Sequence, residues 1–99
     1  MQADPARVFR ALGHDTRLQI AQALGERERC VKELRELVDG SWSTVSQHLA
    51  VLRHAGIVDC TRQGNQMLYR LALPCVAAFV SCLVAAAEGR QVEVRACCE

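Results

Sequence analysis

SWSTVSQHLAVLRHAGIV, residues 41–58, repeats its apolar residues at helical spacing and fills the gaps with hydroxyls, an amide and two imidazoles. Plotted at about 100° per residue, Val45, Leu49 and Leu52 fall on one stripe, while Ser43, Gln47, Ala50 and His54 fall opposite. One face is fit for burial; the other is polar without being charged. Ser41 suits an N-cap, where its hydroxyl accepts from an orphan amide of the first turn, and Gly56 suits the left-handed residue that closes a helix. A helix from about Trp42 to about Ala55 is predicted. An ordinary solvent-facing helix favours Glu and Lys, which form helix readily and pair at i,i+4, yet Arg53 is the single charged residue between Trp42 and Ala55. Short side chains that both donate and accept hydrogen bonds are what base edges in a major groove demand, because they do not push the helix away from the DNA.

Towards the N-terminus, Asp4 or Pro5 opens a first helix to about Leu12, with Val8, Phe9 and Leu12 as its apolar face. Asp15 is expected to cap a second, Thr16 to Leu24, burying Leu18, Ile20, Ala21 and Leu24, and Gly25 to stop it. Val31 to Val38 reads as a short third helix with Val31, Leu34 and either Leu37 or Val38 inside. Asp39-Gly40 then turns the chain into the quoted helix. Beyond Gly56 the apolar period drops from 3.6 to about 2, and IVDCTRQGNQMLYRLAL reads as two strands around Gln63-Gly64-Asn65, where Gly and Asn tolerate the positive φ of a hairpin turn. Pro74 starts a last helix to about Glu88 or Gly89. Its face bearing Cys75, Phe79, Cys82 and Ala86 is nearly as apolar as its flanks, so it needs cover on more than one side. The same helix of a second chain would supply it.

Four helices, a hairpin and a helix predict a mainly α fold, a winged helix-turn-helix with a β-hairpin wing. The chain reads as one domain, 1–99, with the helix-turn-helix at about 31–55 and the wing at about 57–71. A dimerisation helix at about 74–89 and a Cys-containing tail, 90–99, complete it. A homodimer through the first and last helices is expected, since a chain of 99 residues buries only about two-thirds of its unfolded surface. Net charge is +1, but it is unevenly spread: residues 1–40 hold seven basic and seven acidic side chains, 41–71 three and one, and 72–99 two and three. The middle third is the positive part, and a two-fold pair doubles that field. Met1 to Arg10 lacks the apolar core and cleavage site of an export signal. Leu71 to Ala87 carries no charge but is short of the roughly twenty residues a bilayer span needs and includes Pro74 and Ser81. A cytoplasmic location without membrane contact is therefore expected, and six Cys then suggest thiols for sensing or ligation rather than structural disulfides.

The sequence resembles the ArsR/SmtB family of bacterial metalloregulatory repressors, dimeric winged helix-turn-helix proteins. ALGHDTRLQIAQAL looks like the family's second-helix segment, STVSQHLAVLRHAGIV like its recognition helix and RQGNQMLYRL like its wing, a match spanning roughly Phe9 to Leu71. The resemblance implies a repressor that binds a double-stranded DNA operator and leaves it when the dimer takes up a metal, metalloid or other inducer. Carried over by position, the DNA contacts are Ser43, Thr44, Ser46, Gln47 and His48 from the helix, with Arg62, Gln63 and Asn65 from the wing. Ser43 and Gln47 point away from the core and suit base edges; Arg62 and Asn65 suit phosphate or the minor groove. His48 lies about 60° off the buried stripe by helical geometry, so it fits bridging between helices as well as readout. Arg53 fits phosphate or plain solvation equally.

The inducer is read from Cys30, Cys60, Cys75, Cys82, Cys97 and Cys98. Family members with an arsenite site on the third helix look like ELCVCDLC, whereas this chain has ERCVKELR, keeping only Cys30. The zinc-type site of the last helix is not matched either, since that helix holds no Asp and no His. ACCE at residues 96–99 carries two adjacent thiols, and some family members resemble this arrangement, with a third Cys on the last helix. Three thiolates suit a soft trivalent ion, so Cys82, Cys97 and Cys98, with Cys75 and Cys30 as alternates, are the expected ligands of arsenite or antimonite, with no organic cofactor. Cys75 and Cys82 lie two turns apart, about 10 Å, so they cannot chelate one ion within a chain and are equally compatible with core packing. Two alternatives stand beside this: the same repressor switched by cysteine oxidation or by persulfide or polysulfide formation, and a thiol enzyme or metal carrier without DNA binding.

Overall fold

The computed structural model describes residues 4–38 and 40–89. In chain order these form α1 (Pro5–Leu12), α2 (Asp15–Glu26), β1 (Arg29–Cys30), α3 (Val31–Leu37), α4 (Trp42–His54), β2 (Val58–Gln63), β3 (Gln66–Leu71) and α5 (Pro74–Ala87). This is the expected winged helix-turn-helix with one addition. The two residues before α3 pair antiparallel with β3, Arg29 opposite Tyr69 and Cys30 opposite Leu68, so the hairpin belongs to a three-stranded sheet of order β1-β3-β2.

The core lies where α1, α2, α3, α4 and the sheet converge: Ile20, Leu34, Val45, Leu49, Leu52 and Ile57 are fully buried, with Val76 and Val80 of α5 closing one side. Of the two residues offered for the inner face of α3, Val38 is buried and Leu37 is 54% exposed. Phe9, expected on the buried face of α1, is 64% exposed. It sits at the flank of the stripe formed by Val8, Ala11 and Leu12 and leans on Phe79 of α5, ring centroids 5.7 Å apart.

Two expectations about α2 are corrected. His14, not Asp15, is its N-cap: the His14 Nδ1 accepts from the Thr16 amide at 3.1 Å. Gly25 does not stop the helix, which continues to Glu26. A Cβ at Gly25 would stand 3.1 Å from the Cβ of Ala77, so this glycine is the place where α5 lies closest against α2. The helix instead ends beside Arg29, whose buried side chain donates from Nε to the Ala23 carbonyl at 3.1 Å and pairs with Glu26 at 2.7 Å. That arrangement satisfies an orphan carbonyl at the helix C-terminus and sets a cation there. At the start of α3, Glu33 accepts from the Cys30 amide at 3.1 Å. Its hydrogen bond to Arg27, seconded by that amide, holds the carboxyl below the usual range.

Candidate nucleic-acid interface

α4 is fixed at both ends by its own sequence. The Ser41 Oγ accepts from the Thr44 amide at 3.2 Å and lies 3.0 Å from the Thr44 hydroxyl and 3.3 Å from that of Ser43. At the far end Gly56 adopts φ +81°. Its amide donates to Arg53 and that of Ile57 to Leu52, both at 2.9 Å, the paired bonds of a Schellman closure. Leu52 and Ile57, both fully buried, make the apolar contact that accompanies it. Between these stops Val45, Leu49 and Leu52 face the core, and Ser43, Thr44, Ser46, Gln47, Ala50 and His54 are exposed. The polar stripe read from the sequence is thus a free surface of the chain.

The wing follows at once. β2 and β3 pair from Val58 opposite Leu71 to Gln63 opposite Gln66, leaving Gly64-Asn65 as a two-residue turn. Gly64 has φ +62°, and no residue other than glycine has positive φ among the described residues. Glycine at the first turn position with an ordinary second residue is the pattern of a type II′ hairpin. Arg62, Gln63 and Asn65 are exposed around this tip. The Arg62 Nε donates to the Gly64 carbonyl at 3.2 Å, which steadies the guanidinium. Arg53 stands by Tyr69, where it partly offsets the upward push that burial and Cys60 give the phenol.

His48 alone of the eight proposed contacts is turned inward. It is half-buried, its ring centroid lies 4.5 Å from that of His14, and Arg17 Nη1 donates to its Nδ1 at 3.3 Å. Because a guanidinium only donates, this bond requires Nδ1 as acceptor and so favours the neutral ring. Burial, then the neighbouring His14 and Arg17, keep it below the usual histidine range. The Arg17 Nε also donates to the Ala11 carbonyl at the end of α1. Nothing in the sequence distinguishes Arg17 from an exposed helix arginine. The same holds for the Arg35–Trp42 pair: the guanidinium lies 5.2 Å from the ring centroid, a cation–π contact across the turn between α3 and α4.

The thiols are dispersed. Cys30 is buried at the start of α3, Cys60 is half-buried in β2, and Cys75 and Cys82 are half-buried on α5; all four are free. Cys97 and Cys98 lie outside the described residues, and among those residues no three His, Cys, Asp or Glu come together to hold a metal. No helix there is long and apolar enough to cross a membrane.

Two helices joined by a tight turn, the second polar outward and followed by a hairpin, define a winged helix-turn-helix DNA-binding domain. Residues 14–59, from the cap of α2 into β2, match the family model described as bacterial regulatory protein, arsR family. The HTH-type transcriptional regulator Rv0081 of Mycobacterium tuberculosis (strain ATCC 25618 / H37Rv) is 39% identical over 87 residues, 82% of this chain and 76% of its own. Among solved structures, the transcriptional repressor BigR from Xylella fastidiosa superposes with a TM-score of 0.77 at 35% identity, covering 83% of this chain and 84% of that one. The homodimeric winged helix-turn-helix DNA-binding domain Mb0332 from Mycobacterium bovis gives 0.75 at 32%, covering 85% and 78%. The chain belongs to the ArsR family of bacterial regulatory proteins. It is a DNA-binding regulator of transcription, not an enzyme.

Proposed function

We propose that the chain is a cytoplasmic, homodimeric repressor that reads its operator through α4 and the wing and releases it when an inducer engages its thiols. The observation that carries this reading is the exposed, almost uncharged polar face of α4 above a fully buried apolar one. In it Ser43 and Gln47 reach base edges, Thr44 and Ser46 flank them, Arg62, Gln63 and Asn65 take phosphate or the minor groove, and His48 orients the helix from behind. Dimerisation through α1 and α5 is supported by what those helices leave uncovered. Phe9 and Leu83 are 64% and 60% exposed, and Cys75, Phe79, Cys82 and Ala86 lie on α5 about a third of a turn from the Val76–Val80 side that meets the core.

Trivalent arsenic or antimony, bound by Cys82 with Cys97 and Cys98, is the inducer that this thiol set suits best. A switch by oxidation or polysulfide is the second reading. It is favoured by Cys75 and Cys82, both free and half-buried on that uncovered side, because a thiol there can be linked to one of a second copy without a third ligand, the two of one chain being too far apart for a direct disulfide. The test is fluorescence anisotropy on duplex fragments from the protein's own locus, with arsenite, antimonite and polysulfide as releasing agents. Gln47→Ala should lose discrimination between operator and unrelated duplex by about 1–3 kcal/mol. Loss of arsenite release in the Cys97→Ser, Cys98→Ser variant supports the metalloid. Unchanged release by arsenite sinks it.

A further inference from the structure

Two groups of charges from the first forty residues stand in contrast. At the C-terminal end of α2 they are paired, Arg27 with Glu33 and Arg29 with Glu26, both at about 2.7–2.8 Å. In the other group they are all of one sign. Arg7 and Arg10 of α1, Arg17 of α2, and Val51 and His54 of α4 line a surface notch of about 350 Å³. No carboxylate among the described residues lies within ion-pair distance of these three arginines. Arg7 and Arg10 are exposed and Arg17 is half-buried. The bonds from Arg17 to the Ala11 carbonyl and to His48 hold its guanidinium in one orientation and leave Nη2 without a partner among the described residues.

Three guanidiniums gathered with no counter-ion among the described residues repel one another, and the group that relieves this is an anion with several oxygens, for which the planar fork of arginine is shaped. The position of the notch says which anion. His54 belongs to the same outward stripe of α4 as Ser43, Gln47 and Ala50, so the notch continues the reading surface at the C-terminal end of that helix. On α1, Arg7 is about 160° and Arg10 about 100° round the helix from Phe9 by the 100° rule, so the basic notch and the proposed dimer seam occupy different flanks of one short helix. Resting on the DNA-binding reading above, we propose that Arg7, Arg10 and Arg17 form a clamp for a DNA backbone phosphate beside the groove that α4 enters. Each subunit then engages one more phosphate than α4 and the wing reach. Such anchoring fixes register without carrying sequence information.

The test is the salt dependence of operator binding by the full chain, measured by anisotropy across a potassium chloride series, for wild type and for Arg7→Gln with Arg10→Gln. Both positions are exposed, and circular dichroism checks the fold. The double variant should bind more weakly to operator and unrelated duplex alike. The slope of log K against log salt should fall by about 0.9 for each phosphate no longer engaged, about 2 for a two-fold pair. Arg27→Gln, which removes charge at the far end of α2, should leave the slope unchanged. An unaltered slope in the double variant while wild type binds DNA overturns the clamp and leaves the reading helix standing. An equal fall with Arg27→Gln assigns the effect to net charge and also overturns it. Failure of wild type to bind any duplex overturns both.

Discussion

The two ends of this small domain treat apolar side chains in opposite ways. In α4 the stripe of Val45, Leu49 and Leu52 is consumed inside the chain, and what faces out is hydroxyl, amide and imidazole. In α1 and α5 the inward stripe is also filled, by Val8, Leu12, Val76 and Val80, yet aromatic and aliphatic groups are left over on the outside. A surface of short polar groups on a self-sufficient core is ready for a partner made of polar edges. A surface of Phe9, Phe79 and Leu83 is ready for another apolar surface, and in the proposed dimer a second copy would supply one. The two faces predict two partners of different chemistry.

The largest effect should come from hollowing out the α4 side. Leu52→Ala should cost about 3 kcal/mol in urea denaturation, because Leu52 is fully buried and its side chain packs in the core, where the apolar contact with Ile57 closes the helix. A loss under about 1 kcal/mol would mean that α4 does not depend on its stripe. At the opposite seam, Phe9→Glu with Leu83→Glu should convert the dimer to monomer in sedimentation equilibrium. The monomer's own unfolding should change by no more than about 0.5 kcal/mol, since both side chains are mostly exposed. A variant that still sediments as a dimer would move the seam elsewhere.

Smaller effects are expected on the reading side. Gly64→Ala meets no atom within 4 Å, so any cost comes from placing a Cβ at φ +62°. About 1 kcal/mol is expected, with the wing amides losing hydrogen-exchange protection before those of α4. The smallest expected effect is that of pH on the His48 contact. The folded ring titrates below the ordinary value of 6.5, so above that value it is neutral in both states and the contact is intact. As pH falls, the unfolded chain takes up its proton first, and stability is lost as pH passes through the lowered folded value. Melting temperature should therefore drop between pH 7.5 and 5.5, and His48→Gln should remove part of that drop. Glu33 acts in the same direction but only below its ordinary 4.5, outside this window.

The parts legible in the sequence are those specified locally. Both ends of α4, its buried stripe, the hairpin turn and the start of α5 at Pro74 follow from residues within a turn or two of each other. The parts that escape such reading depend on distant partners. β1 has two residues and no alternation, and exists because Tyr69 and Leu68, some forty positions on, present an edge to it. Gly25 could end a helix or admit a neighbour, and only the path of α5 decides. Asp15 is the better cap by residue type, but His14 reaches the Thr16 amide and also meets His48. Of the site residues, those on the outer stripe could be placed by helical angle alone. The inward turn of His48 needs Arg17, whose role is invisible until α1, α2 and α4 are assembled.

Arg17 has a mechanical consequence. It fastens the end of α1 and the back of α4 to α2, and α2 in turn lies flush against α5 at Gly25 and Ala77. Torque applied to α5, where the half-buried thiols sit, would pass through the Gly25–Ala77 contact and the Arg17 bonds towards the base-facing side chains. A subunit joined in this way would tilt as one piece, so an inducer acting at the cysteines, as proposed above, would change the spacing between the two readers of a dimer.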